Sequence, residues 1–99
     1  MRAPEACKSI EDVREAIDGL DREILRLLGR RAGYVAAAAP FKTDLKGVRG
    51  PERQRAMLAT RREWAREEGL DADFVEGLYQ YIVSHFVRRE MEDWREDQA

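Results

Sequence analysis

The chain has 99 residues and a net charge of −2, and it is expected to form a single small domain over residues 1–99 whose limited core favours a partner subunit. Because the chain is slightly acidic, it has no overall positive field that would attract nucleic acid or an anionic membrane. It contains one cysteine, Cys7, and one histidine, His85, which excludes an intrachain disulfide and the usual metal sites. An N-terminus without an apolar signal core, and the lack of any apolar run near ~20 residues, predict a cytoplasmic protein.

The first predicted helix covers about residues 10–39. Ser9 followed by Asp12 predicts an N-cap with a capping-box acid, and Pro40 ends the helix. Apolar residues recur at alternating steps of three and four, the spacing of an a/d packing seam: Ile10, Val13, Ile17, Leu20, Ile24 and Leu27. A helix about 45 Å long needs a second long helix beside it, most simply that of another copy of the chain.

The same spacing places Arg31 on the seam, where an apolar residue belongs. A guanidinium on a packing face is costly unless it is paired and hydrogen-bonded. Arg14 lies one step beyond Val13, at the edge of the stripe. For either arginine alone, a side chain that reaches back to water or pairs with a neighbouring helix is a sufficient explanation.

The connection at residues 40–50 reads PFKTDLKGVRG and is rich in cations. Lys46 and Arg49 fit an ordinary solvated loop. Gly47 and Gly50 could also hinge a lid over a pocket, with Lys42 at its start.

The second predicted helix covers about residues 51–68. Pro51 suits its first position, and Gly69 suits the position just after its end. Met57 and Trp64 are expected on its inner face.

The third predicted helix covers about residues 72–94, starting after Asp71. Its apolar side is expected to comprise Phe74, Val75, Leu78, Ile82, Phe86 and Val87. Glu90 lies one turn beyond Phe86 on that side and is expected to point inward. His85 fits a half-exposed or hydrogen-bonded histidine better than a catalyst.

Arg53 stands in the first turn of the second helix, where an acid would suit the helix dipole better. It either pairs with Glu52 or Asp44, or holds an anion together with the positive helix end. Three further cations face inward or line a hinge: Arg14, Arg31 and Lys42. With no phosphate-binding glycine motif, nucleophile–base pair or metal cluster in the sequence, the set indicates a dicarboxylate-sized ligand and catalysis by positioning and electrostatics.

Several segments carry a more specific resemblance: DVREAID, GRRAGYV, FK, PERQRAML, GLDADFVEGL and YIVSHFVRREM. Over almost the whole chain they resemble the all-helical chorismate mutase class, and within it the bacterial isochorismate-pyruvate lyases of salicylate biosynthesis. The resemblance implies an all-α fold, with a three-helix subunit that has one long N-terminal helix and forms an intertwined homodimer. It also implies a cofactor-free pericyclic reaction, in siderophore or secondary metabolism, that turns isochorismate into salicylate and pyruvate.

The resemblance assigns roles to the cations. Arg14, lent by the partner subunit, and Arg31 would hold the two substrate carboxylates. Lys42 would lie over the ether oxygen that leaves the ring, and Arg53 would add a further cation.

Two places depart from the family pattern. Near the start of helix 2, where chorismate mutases of this class read the C4 hydroxyl with acidic groups, this chain has Gly50 and Gln54, which favours isochorismate without excluding chorismate. At position 90 the lyases and bacterial mutases have a glutamine that donates to the ether oxygen, whereas fungal mutases have glutamate. Glu90 can donate only when protonated. An ionised Glu90 would instead favour an amino-substituted chorismate.

Three functions therefore stay open from the sequence. They are the lyase, a mutase of chorismate or of amino-chorismate, and a catalytically weak helical dimer that acts as a regulatory partner. The intact cation set argues against the third, because a packing module would gain stability from leucine at position 31. No metal, nucleic acid or membrane is expected as a partner.

Overall fold

The computed structural model describes residues 3–41 and 51–98, the last six of these by backbone alone. Within this part every regular element is a helix and there is no strand, which confirms the predicted all-α class. The elements are helix α1 (Ile10–Ala38), helix α2 (Pro51–Glu67), helix α3 (Ala72–Gln98) and two short 3₁₀ turns, Pro4–Ala6 and Ala39–Phe41. Helix α3 thus continues four residues beyond the end expected at residue 94. None of the helices in the described part is long and apolar enough to cross a membrane.

Helix α1 begins with the predicted cap. The backbone N–H of Asp12 donates to Ser9 Oγ at 3.1 Å, and Asp12 Oδ2 accepts from the backbone N–H of Lys8 at 2.9 Å. The two side chains therefore satisfy two backbone donors at the helix start. Glu11 and Asp12 also place negative charge in the first turn, where the helix dipole favours it.

The apolar seam of α1 is exposed in the single chain. Ile17, Leu20 and Ile24 are each 50–53% exposed, and no residue along α1 is fully buried. Burial of such side chains contributes about 25 cal/mol per Å² of apolar area, and a contiguous exposed apolar stripe marks an interaction surface. Helix α1 therefore presents a packing face that one chain leaves open to solvent.

Helices α2 and α3 pack against each other as a hairpin closed by residues 68–71. The turn begins where Gly69 adopts a φ of 75°, a left-handed conformation that glycine reaches without strain. The N–H of Leu70 donates to the Ala65 carbonyl at 2.7 Å, and the N–H of Gly69 donates to the Arg66 carbonyl at 3.1 Å. This is the Schellman pattern, so the prediction that Gly69 ends the helix is confirmed.

Asp71 starts α3 on the other side of the turn. Its Oδ1 atom accepts from the backbone N–H of Asp73 at 2.8 Å and from that of Phe74 at 3.2 Å. An ion pair then joins the two helices, because Arg62 Nη1 lies 2.8 Å from Asp73 and 3.4 Å from Glu76. The hydrogen bond that Arg62 donates to the Asp73 carboxylate raises the pKa of Arg62 above its usual value. Together these contacts fix how α3 leaves the turn.

The hairpin core differs in part from the prediction. Met57 and Val75 are buried as expected, but Trp64 is 49% exposed and Ala65 is buried in its place. Near a tight turn the two helix axes are close, so a small side chain fits between them and an indole does not. The Arg61 guanidinium instead lies over the Trp64 ring, 4.5 Å from its centroid.

The predicted apolar side of α3 is also divided between two environments. Val75 is buried, and Ile82, Phe86 and Val87 are half-buried. Phe74 and Leu78 are 63% and 44% exposed, so only part of the predicted apolar side is covered within this chain. One helix can turn only part of its circumference toward α2, and these two side chains fall outside that sector.

Candidate active site

The two candidate cations on α1 have different surroundings. Arg31 is half-buried, whereas Arg14 is exposed and forms no ion pair with any residue that the structure describes. Both belong to one continuous helix, and the seventeen residue steps from Arg14 to Arg31 span roughly 25 Å at 1.5 Å per residue. Two extended arginine side chains on one helix therefore do not meet on one small dicarboxylate.

The open end of the α2–α3 hairpin holds two more candidates. Along α2, a row of buried and half-buried residues recurs at steps of three and four: Gln54, Met57, Arg61 and Ala65. Along α3 a similar row comprises Val75, Tyr79, Ile82, Phe86 and Glu90. In an antiparallel hairpin, the start of α2 lies beside the far part of α3. Gln54 and Glu90 are both half-buried and lie toward the end of the hairpin remote from the turn.

Arg53 lies beside this row, in the first turn of α2. Its side chain is exposed, and within the described residues it forms no ion pair, so the pairing with Glu52 that the sequence allowed is absent. The other partner that the sequence allowed, Asp44, lies outside the described residues. Unneutralised positive charge beside the positive end of a helix attracts anions.

The loop residues of the predicted site lie outside the described part of the chain. These are Lys42, Lys46, Gly47, Arg49 and Gly50. The place of Lys42 over the ether oxygen and the hinge role of the glycines therefore stay predictions.

Other candidate chemistry is sparse in the described residues. Within them, no group of three His, Cys, Asp or Glu side chains has a geometry that could hold a metal ion. His85 is exposed, with its ring edge-on to Phe86 at 5.0 Å between centroids. An exposed ring agrees with the half-exposed histidine that the sequence predicts, and the expectation that His85 takes no part in catalysis stays a prediction.

Sequence reasoning missed Arg61, which occupies the middle of the buried and half-buried row of α2. Its guanidinium lies 4.5 Å from the Trp64 ring centroid and 5.6 Å from that of Tyr79. The available signal was the spacing of Arg61 and Trp64, which are three residues apart on a helix and therefore neighbours on its surface. The arrangement holds a cation between the helices by contact with aromatic faces.

Comparison with known proteins gives consistent matches. Residues 13–91 match the family model described as chorismate mutase type II. The chain is 46% identical over 96 residues to the isochorismate pyruvate lyase of Pseudomonas aeruginosa, covering 97% of this chain and 95% of that protein. It is 36% identical over 82 residues to the T-protein of Haemophilus influenzae, a match covering 82% of this chain and 21% of the T-protein. It is 24% identical over 79 residues to the chorismate mutase of Methanocaldococcus jannaschii, which covers 79% of this chain and 80% of that protein.

Proposed function

The chain belongs to the chorismate mutase type II family, and we propose that it is an isochorismate-pyruvate lyase, which converts isochorismate into salicylate and pyruvate. The observation that carries this proposal is the 46% identity, over nearly the full length of both chains, to a relative of that name. All six candidate site residues lie within the matched family region at residues 13–91. The cytoplasmic location expected from the sequence stays a prediction.

The proposal includes a homodimer, for which the α1 seam supplies a register. The positions of the seam residues are spaced symmetrically on either side of residue 22. If two α1 helices pair antiparallel about a two-fold axis at that residue, each seam position meets a seam position of the other copy: Ile10 with Tyr34, Val13 with Arg31, Ile17 with Leu27, and Leu20 with Ile24. Each contact joins an a position to a d position, as antiparallel packing requires. The exposed seam of α1 is then covered by its own copy.

This register gives the two α1 arginines a common site. Arg31 of one subunit lies opposite Val13 of the other, and Arg14 is the next residue. Arg14 and Arg31 of the same helix are roughly 25 Å apart, but Arg14 of one subunit and Arg31 of the other come close together. The two-fold axis generates two such sites, and each depends on both chains.

The substrate is bound through its charge. Arg31 of one subunit and Arg14 of the other hold the two carboxylates of isochorismate, with charge-assisted hydrogen bonds that a planar guanidinium directs well. Arg53 adds positive charge where the α2 dipole already favours an anion. Gln54 can hydrogen-bond a hydroxyl but lacks the negative charge of the acidic groups that contact the C4 hydroxyl in chorismate mutases. This difference favours isochorismate over chorismate as the substrate.

The reaction is a concerted rearrangement of electrons within the bound substrate. The ether C–O bond breaks, and a ring hydrogen moves to the methylene carbon of the enolpyruvyl group, which leaves as pyruvate. The ring becomes aromatic as salicylate. Lys42 donates to the ether oxygen as negative charge grows there, and the Glu90 carboxyl could donate to the same oxygen only while it carries a proton. Removing one such donor costs about 10²–10³ in rate.

A chorismate mutase is the second candidate, because another relative bears on it. The chain resembles the chorismate mutase of M. jannaschii over most of both proteins, and Gln54 can also hydrogen-bond the chorismate hydroxyl. An amino-substituted chorismate is the variant of this candidate in which an ionised Glu90 would face a cation.

One assay separates the candidates. Purified protein is offered isochorismate and chorismate separately, and salicylate, pyruvate and prephenate are quantified. Salicylate and pyruvate in equal amounts support the lyase. Prephenate without salicylate supports the mutase. If neither substrate yields any of these products, the remaining candidate is a helical partner protein without catalytic activity.

A further inference from the structure

Glu23 and Arg26 form an extensive ion pair on the outer surface of α1. Arg26 Nε donates to both carboxylate oxygens of Glu23, at 3.1 and 3.0 Å, and Arg26 Nη2 donates to Glu23 Oε1. Both side chains are about half exposed. The hydrogen bond from Arg26, with the charge of Arg30 one further turn along, holds the pKa of Glu23 below its usual value.

The position of Glu23 matters because it flanks the seam at its centre. In the proposed antiparallel register the two-fold axis passes residue 22, so Glu23 of each subunit falls on the same flank. The two glutamates lie about 3 Å apart along the axis, which is well within one turn. Asp21 lies on the opposite flank and does not take part. Two carboxylates so placed would repel each other and weaken the dimer.

We infer that Arg26 is a determinant of dimer stability, because it holds the Glu23 carboxylate on the side away from the seam and neutralises it at the two-fold axis. Arg26 occupies the helix position just outside Glu23, one turn later, so their ion pair draws the carboxylate outward. The partner that this surface fits is a second copy of the same chain. The inference rests on the dimer in the proposed function, and it concerns a pair of residues that has no part in binding substrate.

The test measures the dimer dissociation constant by sedimentation of fluorescently labelled protein at low ionic strength. Arg26→Ala is expected to raise this constant by about two- to threefold, the effect of two like charges roughly 6–8 Å apart at a solvated surface. The increase should disappear near 1 M salt, where the Debye length is about 3 Å. Adding Glu23→Gln to Arg26→Ala should return the constant to the wild-type value, because the repelling charges are gone.

Helix α2 offers a matched control. Glu63 and Arg66 form an ion pair of the same i,i+3 spacing, with 3.1 Å between Arg66 Nη1 and Glu63 Oε2 and both side chains exposed, so Arg66→Ala removes a pair of this kind from a helix other than α1. Arg66→Ala should leave the dissociation constant unchanged. An Arg26→Ala protein that dimerises as tightly as wild type, or one not rescued by Glu23→Gln, would overturn the inference. A wild-type protein that sediments as a monomer would instead refute the dimer itself, and the product assay tests the lyase activity independently.

Discussion

Arg14 and Arg31 lie on one uninterrupted helix, roughly 25 Å apart along its axis, yet a small dicarboxylate needs two cations at about a third of that distance. One α1 helix therefore cannot supply both. The proposed dimer offers a solution, because an antiparallel pairing of two α1 helices about residue 22 would bring Arg14 of one subunit beside Arg31 of the other. In this account the two-fold axis that covers the exposed apolar face also completes the active site.

Arg31→Leu separates folding from catalysis at this seam. An arginine in an apolar stripe lowers stability relative to a leucine, so the substitution should raise the free energy of unfolding by about 1 kcal/mol at matched protein concentration. The same change should lower kcat/KM for isochorismate by about 10²-fold or more, because a substrate carboxylate loses its partner. Chemical denaturation and steady-state kinetics measure the two effects. Arg22→Leu, on the exposed side of α1 away from the seam, is the control and should keep full activity.

Lys42 carries the sharpest catalytic prediction for the loop. Lys42→Ala should lower kcat by about 10²–10³-fold, because charge growing on the ether oxygen would lose a donor. Lys46→Ala removes the same charge from the same loop and should change kcat by less than about twofold. A Lys42→Ala enzyme with full activity would refute the assigned role.

Glu90 carries a prediction about hydrogen-bond donation to the ether oxygen. A carboxylate can only accept a hydrogen bond, whereas the amide of glutamine can donate one. Glu90→Gln should therefore give a kcat for isochorismate at least equal to that of wild type. Glu92→Gln changes an exposed glutamate on the same helix and should leave kcat unchanged. A Glu90→Gln enzyme with a kcat far below that of wild type would contradict a donor role at this position.

Gly69 and Gly77 provide a paired test of the hairpin. Gly69 has a φ of 75°, and alanine there is strained although no atom lies within 4 Å of the position that its Cβ would occupy. Gly69→Ala should therefore lower the free energy of unfolding by about 1 kcal/mol. Gly77 lies inside α3 with equally open space, and Gly77→Ala should raise it by about 0.5–1 kcal/mol. Thermal unfolding that shifts both variants in the same direction would contradict the assigned turn.

The local signals in the sequence predicted the helices well, for identifiable reasons. Ser9, Asp12 and Gly69 act through contacts with backbone a few residues away, so their roles can be read from spacing alone. Trp64 was assigned wrongly to the inner face of its helix, because periodicity shows which side chains are apolar but not which sector of the helix its neighbour covers. The ion pair between Arg62 and Asp73 also escaped notice, since it depends on how two helices meet.

Of the candidate site, the position of Arg31 could be predicted from sequence spacing, but the contribution of a second chain could not. Spacing placed Arg31 on the seam, and the structure shows that residue half-buried while the seam around it is exposed. The proposed contribution of a second chain is not visible in local spacing, because Arg14 would reach the site only through a symmetry operation. The resemblance to the family supplied that step, and the symmetric spacing of the seam positions is compatible with it.

The most direct test of the central claim, a lyase site shared between two subunits, combines Arg14→Ala and Arg31→Ala chains. Each variant alone should be nearly inactive on isochorismate. Co-refolding equal amounts makes half of the dimers mixed, and each mixed dimer has one site with both arginines, so about a quarter of the wild-type production of salicylate and pyruvate should return. Mixed dimers that form, as shown by differently tagged subunits, but yield no salicylate and pyruvate would contradict the account.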